Sequence, residues 1–216
     1  MANRLALPTL YVILDAALLP PDPIELTKNL LSAGARQFQY RNKTSSSREL
    51  LHASQALCLT VRQQGGMFVV NDRADIARLA GATGVHLGQT DLSVTAAREV
   101  LGSDCVIGVS THSLEQFAAA AESDANYIAV GPIFATGSKL NPDAVVGVDF
   151  VRQARKLTRK PIVAIGGITA ERAQEVMDAG ADSVAVIRDI LSAKNPAARV
   201  RQYLKILPAA AQPAEN

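Results

Sequence analysis

Short apolar runs recur along the whole chain, and helix signatures separate them. The runs are Leu10–Leu14, Ala35–Tyr40, Met67–Val70, Val85–Leu87, Val106–Val109, Tyr127–Val130, Ile162–Ile165 and Ser183–Ile187. None has helical spacing, and each is near-continuously apolar, as expected of strands buried on both faces of a parallel sheet. Helix starts lie between them. Asp22-Pro23-Ile24-Glu25 offers an N-cap, a first-turn proline and an acid at the third position; Ser46 with Glu49 and Ser113 with Gln116 read as capping boxes. Ser93, Thr169 and Asn195 cap others, and Gly34, Gly65-Gly66, Gly102 and Gly180 close them. Further helices are expected from about Arg73 to Ala80, from about Asp149 to Leu157 and from Asn195-Pro196 through Leu207. Eight strand–helix units without a linker or composition break predict one α/β domain over residues 1–207, a closed (β/α)8 TIM barrel, with 208–216 as a frayed tail. An open doubly wound sheet is the alternative. It would have fewer strands and a glycine-rich turn after the first, where this chain has Leu14-Asp15-Ala16-Ala17.

Composition narrows the function classes. A net charge of +2 with Lys and Arg scattered argues against nucleic acid, and no apolar run approaches a membrane span. The start of the chain lacks a signal-peptide pattern, and Cys58 and Cys105 read as buried free thiols suited to a reducing cytoplasm. Oligomeric state is not readable.

In a barrel of this kind chemistry gathers at the carboxyl ends of the strands. After the second run, strand alternation sends Gln39, Arg41 and Lys43 of Gln39-Tyr40-Arg41-Asn42-Lys43 to one side, where two cations call for an anionic ligand. Asn71-Asp72 follows the third run and Gln89-Thr90-Asp91 the fourth. If those strands are parallel neighbours, both carboxylates stand at one edge of the sheet, as a partly hydrated Mg2+ bound to a phosphorylated substrate requires. Two solvated aspartates capping the next helices is the simpler alternative.

Ser110 follows the fifth run as a possible donor; His112 reads as a loop residue and His86 as a hydrogen-bonded structural histidine. The long loop 131–148 carries Thr136, Ser138 and Lys139, a set suited to phosphate. Gly166-Gly167 and Ile187-Arg188 end the seventh and eighth runs, where loops of this fold commonly cup a phosphate. Two anionic sites are therefore expected.

Taken in order from Gln39 to Ile190, the segments Gln39–Lys43, Asn71-Asp72-Arg73, Gly88-Gln89-Thr90-Asp91, Gly108-Val109-Ser110-Thr111-His112, Gly131-Pro132-Ile133-Phe134 with Lys139, and Ala164-Ile165-Gly166-Gly167-Ile168 resemble the thiamine phosphate synthase family. The resemblance implies an Mg2+-assisted transferase that joins 4-amino-2-methyl-5-(diphosphooxymethyl)pyrimidine to a thiazole phosphate and releases pyrophosphate. It assigns Gln39, Tyr40, Arg41, Asn42, Lys43, Asn71, Ser110 and Lys139 to the pyrimidine diphosphate. Among these, Arg41, Lys43, Ser110 and Lys139 would serve the chemistry. Asp72 and Asp91 would hold Mg2+, and Thr136, Gly137, Ser138, Gly167, Ile187 and Arg188 the thiazole phosphate. The implied mechanism is dissociative, with no protein nucleophile or base. Two departures stand out. Ala135 and Gly137 replace a Pro-Thr-x-Thr-Lys pattern, which should loosen the loop into a lid, and Arg188 stands where the family usually has serine. The related thiazole tautomerases carry a histidine where this chain has Pro132. A non-catalytic regulatory barrel is a third possibility.

Overall fold

The computed structural model describes residues 5–137 and 143–208. Eight parallel strands close into a barrel in sequence order, β1 (Leu10–Asp15), β2 (Gln37–Arg41), β3 (Met67–Asn71), β4 (Gly84–Leu87), β5 (Val106–Thr111), β6 (Tyr127–Val130), β7 (Ile162–Ile165) and β8 (Ser183–Val186). The seam is β1 on β8, with Tyr11 opposite Ala185. Helices α1 (Pro23–Ser32), α2 (Ser47–Gln63), α3 (Ala74–Ala80), α4 (Val94–Leu101), α5 (Leu114–Glu122), α6 (Val148–Leu157) and α7 (Ala170–Asp178) cover the outside; α8 (Arg188–Leu191) and α9 (Pro196–Ile206) follow β8.

The expected starts lie where the sequence put them, although Thr169 precedes α7 without a side-chain cap bond. Asp22 Oδ1 accepts from the Glu25 amide at 2.9 Å, and Ser46 and Glu49 complete a reciprocal capping box. Ser113 makes only half of one: it accepts from the Gln116 amide, while the Gln116 side chain reaches past it to the His112 amide at 2.8 Å. The second strand begins at Gln37 rather than Ala35, because Ala35 still closes the end of α1 by donating to Leu30 O.

Strand alternation divides the core into two layers. Phe38, Tyr40, Phe68, Val70, Val85 and Ile107 face outward into the shell between sheet and helices. Tyr11, Ile13, Val69, Tyr127, Ala129, Val163 and Ala185 fill the barrel interior. Gly108 makes room there. A Cβ on Gly108 would lie 2.0 Å from Cζ of Tyr127, so the phenol can cross the interior only above a residue without a side chain. Among the described residues no helix is long and apolar enough to cross a membrane.

Candidate active site

β3 and β4 are parallel neighbours, with Val70 opposite Val85 and Asn71 opposite His86, so the acids that follow them share one edge. Asp72 has φ 64°, left-handed backbone that Asp tolerates better than most side chains, and its amide donates to His86 O at 2.8 Å. Lys43 Nζ lies 2.8 Å from Asp72 Oδ2. Asp91 folds back so that Oδ2 accepts from the Gly88 amide at 2.7 Å. Burial pushes the Asp91 carboxyl above the ordinary carboxylate range; the Gly88 amide offsets part of this, and the Asp72 carboxylate adds to it. The two acids therefore feel each other. Neither caps a helix, since Arg73 precedes α3 and Ser93 caps α4, which removes the simpler reading.

Two converging carboxylates, one partly buried, form a hard-oxygen donor pair that fits a magnesium ion keeping several waters. Among the described residues no group of three or more His, Cys, Asp or Glu could hold a metal, so the pair suits a partly hydrated ion rather than an all-protein cage.

Beside the acids opens a cavity of about 970 Å³ at the carboxyl ends of the strands. Gln39, Arg41, Asn71 and Ser110 line one part of it; Thr136, Gly137, Gly167, Ile187 and Arg188 line another. Lys43, Asp72 and Asp91 are not among the lining residues and stand just past the strand ends. Gly167 has φ 63°, and a Cβ there would come within 2.5 Å of Ala135 O, so glycine lets the two loops meet. Arg188 Nη2 donates to Gly137 O at 3.2 Å, tying α8 to the loop after β6. Behind α8, Arg199 grips Asp189 through two nitrogens at 2.9 and 2.7 Å.

Tyr40 and Asn42 do not line the cavity. Alternation turns Tyr40 outward into the shell, where its hydroxyl accepts from Asn42 Nδ2 at 3.1 Å. Asn42 Oδ1 in turn accepts the Thr44 and Ser45 amides and shapes the turn behind Lys43. Ser138 and Lys139 lie outside the described residues, as does the centre of the expected lid, 138–142. Cys58 is buried and its thiol donates to Gly81 O, whereas Cys105 is only half-buried.

Two features escaped the sequence, Asp15 and Arg172, and a third, His86, was legible only in part. Asp15 ends β1, and its Oδ2 lies 2.5 Å from Arg41 Nη1. The strand-end rule that found the other residues points to it equally. Arg172 lies over the Phe134 ring at 4.7 Å and joins the cavity lining. His86 is hydrogen-bonded as expected, to Tyr127 and Ser110, and also reaches the cavity.

The family model described as thiamine monophosphate synthase matches residues 10–190. A thiamine-phosphate synthase of Koribacter versatilis is 49% identical over 212 residues, which is 96% of this chain and 99% of that protein. Another from Chlorobium luteolum is 40% identical, covering 93% of each. Among solved structures, the thiamine phosphate pyrophosphorylase of Pyrococcus furiosus superposes with a TM-score of 0.83 at 33% identity, over 92% of this chain and 94% of that one.

Proposed function

Because the chain belongs to the thiamine monophosphate synthase family, and so to the transferases of thiamine biosynthesis, we propose that it condenses 4-amino-2-methyl-5-(diphosphooxymethyl)pyrimidine with a thiazole phosphate to give thiamine phosphate and pyrophosphate. The observation that carries this reading is the convergence of Asp72 and Asp91 beside Arg41 and Lys43, with the cavity running on to Gly167 and Arg188. Cations and carboxylates side by side suit a metal-bound diphosphate, and Thr136, Gly137, Gly167 and Arg188 in the same cavity suit a second phosphate.

In this reading Asp72 and Asp91 hold Mg2+, which when bound neutralises charge on the leaving diphosphate. Arg41 and Lys43 donate to diphosphate oxygens, with Lys139 as a third cation, and Ser110 donates from the β5 side. Gln39 and Asn71 orient the aminopyrimidine. The methylene C–O bond breaks with its electron pair going to diphosphate, and the ring spreads the positive charge left on the methylene carbon. The thiazole nitrogen then gives its lone pair to that carbon. No proton leaves the nitrogen, so no protein base is required, and the residues act by positioning and charge. Thr136, Gly137, Ser138, Gly167, Ile187 and Arg188 hold the thiazole phosphate.

Residues 1–207 act as one catalytic domain, which the packing of α9 on α1, α7 and α8 supports. A cytoplasmic setting suits the free thiols.

The test is incubation with both substrates and Mg2+, reading thiamine phosphate and pyrophosphate together; release of neither sinks the proposal. Arg188 has its own. Its guanidinium reaches Gly137 O from the side of the cavity given to the phosphate. Arg188→Ser is expected to raise the KM for thiazole phosphate roughly tenfold, on the order of 1.4 kcal/mol, as loss of a charge-assisted hydrogen bond would, with kcat nearly unchanged. An unchanged KM would mean that the side chain serves only the loop.

A further inference from the structure

A line of five polar side chains crosses the inside of the barrel from β2 to β5. Gln39 Nε2 donates to the Tyr11 hydroxyl at 3.0 Å, and the Tyr11 and Tyr127 hydroxyl oxygens are 3.2 Å apart. Tyr127 then meets His86 Nδ1 at 3.0 Å, and His86 Nε2 meets Ser110 Oγ at 2.8 Å. Gln39 and Ser110, the two ends, line the cavity, while both phenols are buried. Packing holds the middle of the line. The Tyr127 ring stacks on His86 with centroids 5.6 Å apart and meets Tyr11 edge-on at 6.2 Å.

The line has a direction. An amide nitrogen can only donate, so the Tyr11 oxygen accepts from Gln39. Burial pushes both phenols upward from their ordinary pKa, so each keeps one proton to give. The Tyr127 oxygen, 3.2 Å away, is an acceptor for the Tyr11 proton. Tyr127 must then donate to His86 Nδ1, which leaves the imidazole proton on Nε2, directed at Ser110 Oγ. With one lone pair of Oγ taken by His86, Ser110 has its own proton left for the cavity. The opposite wiring would protonate His86 on Nδ1 and turn the Ser110 proton toward the ring.

We propose that this line is a directional hydrogen-bond relay that fixes Ser110 as a donor into the cavity and couples it to Gln39, which makes Tyr11, Tyr127 and His86 positioning residues. It rests on the reading of Gln39 and Ser110 as ligands of the pyrimidine diphosphate. The atom that receives the Ser110 proton is then an acceptor, an anionic oxygen or an unprotonated ring nitrogen.

The first test needs no substrate. The chain has 3 histidines, and nitrogen-15 NMR of the full-length protein, with His86→Asn to assign the signal, reads which ring nitrogen of His86 carries the proton. A proton on Nε2 with Nδ1 as acceptor is expected; a proton on Nδ1 overturns the relay. The second test is a double-mutant cycle on kcat/KM. Tyr127→Phe keeps the ring and removes only the hydroxyl, and is expected to cost about tenfold alone, but less than about twofold when added to Ser110→Ala, because the two act through one contact. Equal losses in both backgrounds, or no loss in either, overturn the relay. A wild-type protein that releases no pyrophosphate would sink the synthase reading instead, and the NMR result would still decide the direction of the line.

Discussion

Replacing either Asp72 or Asp91 by Asn is expected to lower kcat/KM at least about a thousandfold, roughly 4 kcal/mol of transition-state stabilisation, while the fold stays intact. Asn is the informative substitution at both positions. At Asp72 it keeps a side chain that tolerates φ 64°, where alanine would add backbone strain to the loss of charge. At Asp91 its carbonyl can still accept from the Gly88 amide, so the turn after β4 survives and only the negative charge is lost. Initial rates of pyrophosphate release across an Mg2+ titration check the result, and EDTA should stop the wild type under the same conditions. A variant within a few-fold of wild type would take its residue out of the metal site.

Arg41→Met is expected to act twice. The guanidinium is 21% exposed and pairs with an Asp15 carboxylate that is only 7% exposed. Removing one partner leaves the Asp15 carboxylate without its counter-ion, still accepting from the Ala17 amide, and should cost about 2 kcal/mol in stability, below the fully buried range because Arg41 is partly solvated. If Arg41 binds diphosphate as proposed, the same change also removes that cation and should lower kcat/KM about a hundredfold. Adding Asp15→Asn separates the two effects. The double variant should regain most of the urea midpoint and none of the rate, because the buried charge is gone but the phosphate donor is not restored. Recovery of activity would show that Arg41 matters only as a partner for Asp15.

How much could be read from the chain follows from what each pattern encodes. Strands buried on both faces give unbroken apolar runs, so all eight strands stood out, and polar residues just beyond them drew attention to Gln39, Arg41, Asn71, Asp72, Asp91 and Ser110. Such runs conceal which residues point inward. Tyr11 and Tyr127 look like ordinary core residues in Leu10–Leu14 and Tyr127–Val130, although their hydroxyls cross the barrel interior. Tyr40 shows the converse, since a contiguous motif placed it in the site and a two-residue period turned it away. In the sequence Asp15 shows only as part of a turn without glycine. Its partner on β2 becomes visible only when Asp15 and Arg41 are seen side by side in register.

The cations at the cavity mouth also bear on how a reaction cycle would end. Arg41 and Lys43 each have a carboxylate of their own, Asp15 and Asp72. For a diphosphate ligand, binding is then an exchange of counter-ions rather than a capture by bare charge: Lys43 passes from one anion to another, and the number of unpaired charges scarcely changes. The exchange is reversible: Asp15 stays beside Arg41 as a competitor for it, and Asp72 can take Lys43 back once the diphosphate and its metal have gone. A site wired in this way holds its anion less tightly than its charges alone would, which is what a catalyst needs if pyrophosphate is to leave once the new bond has formed.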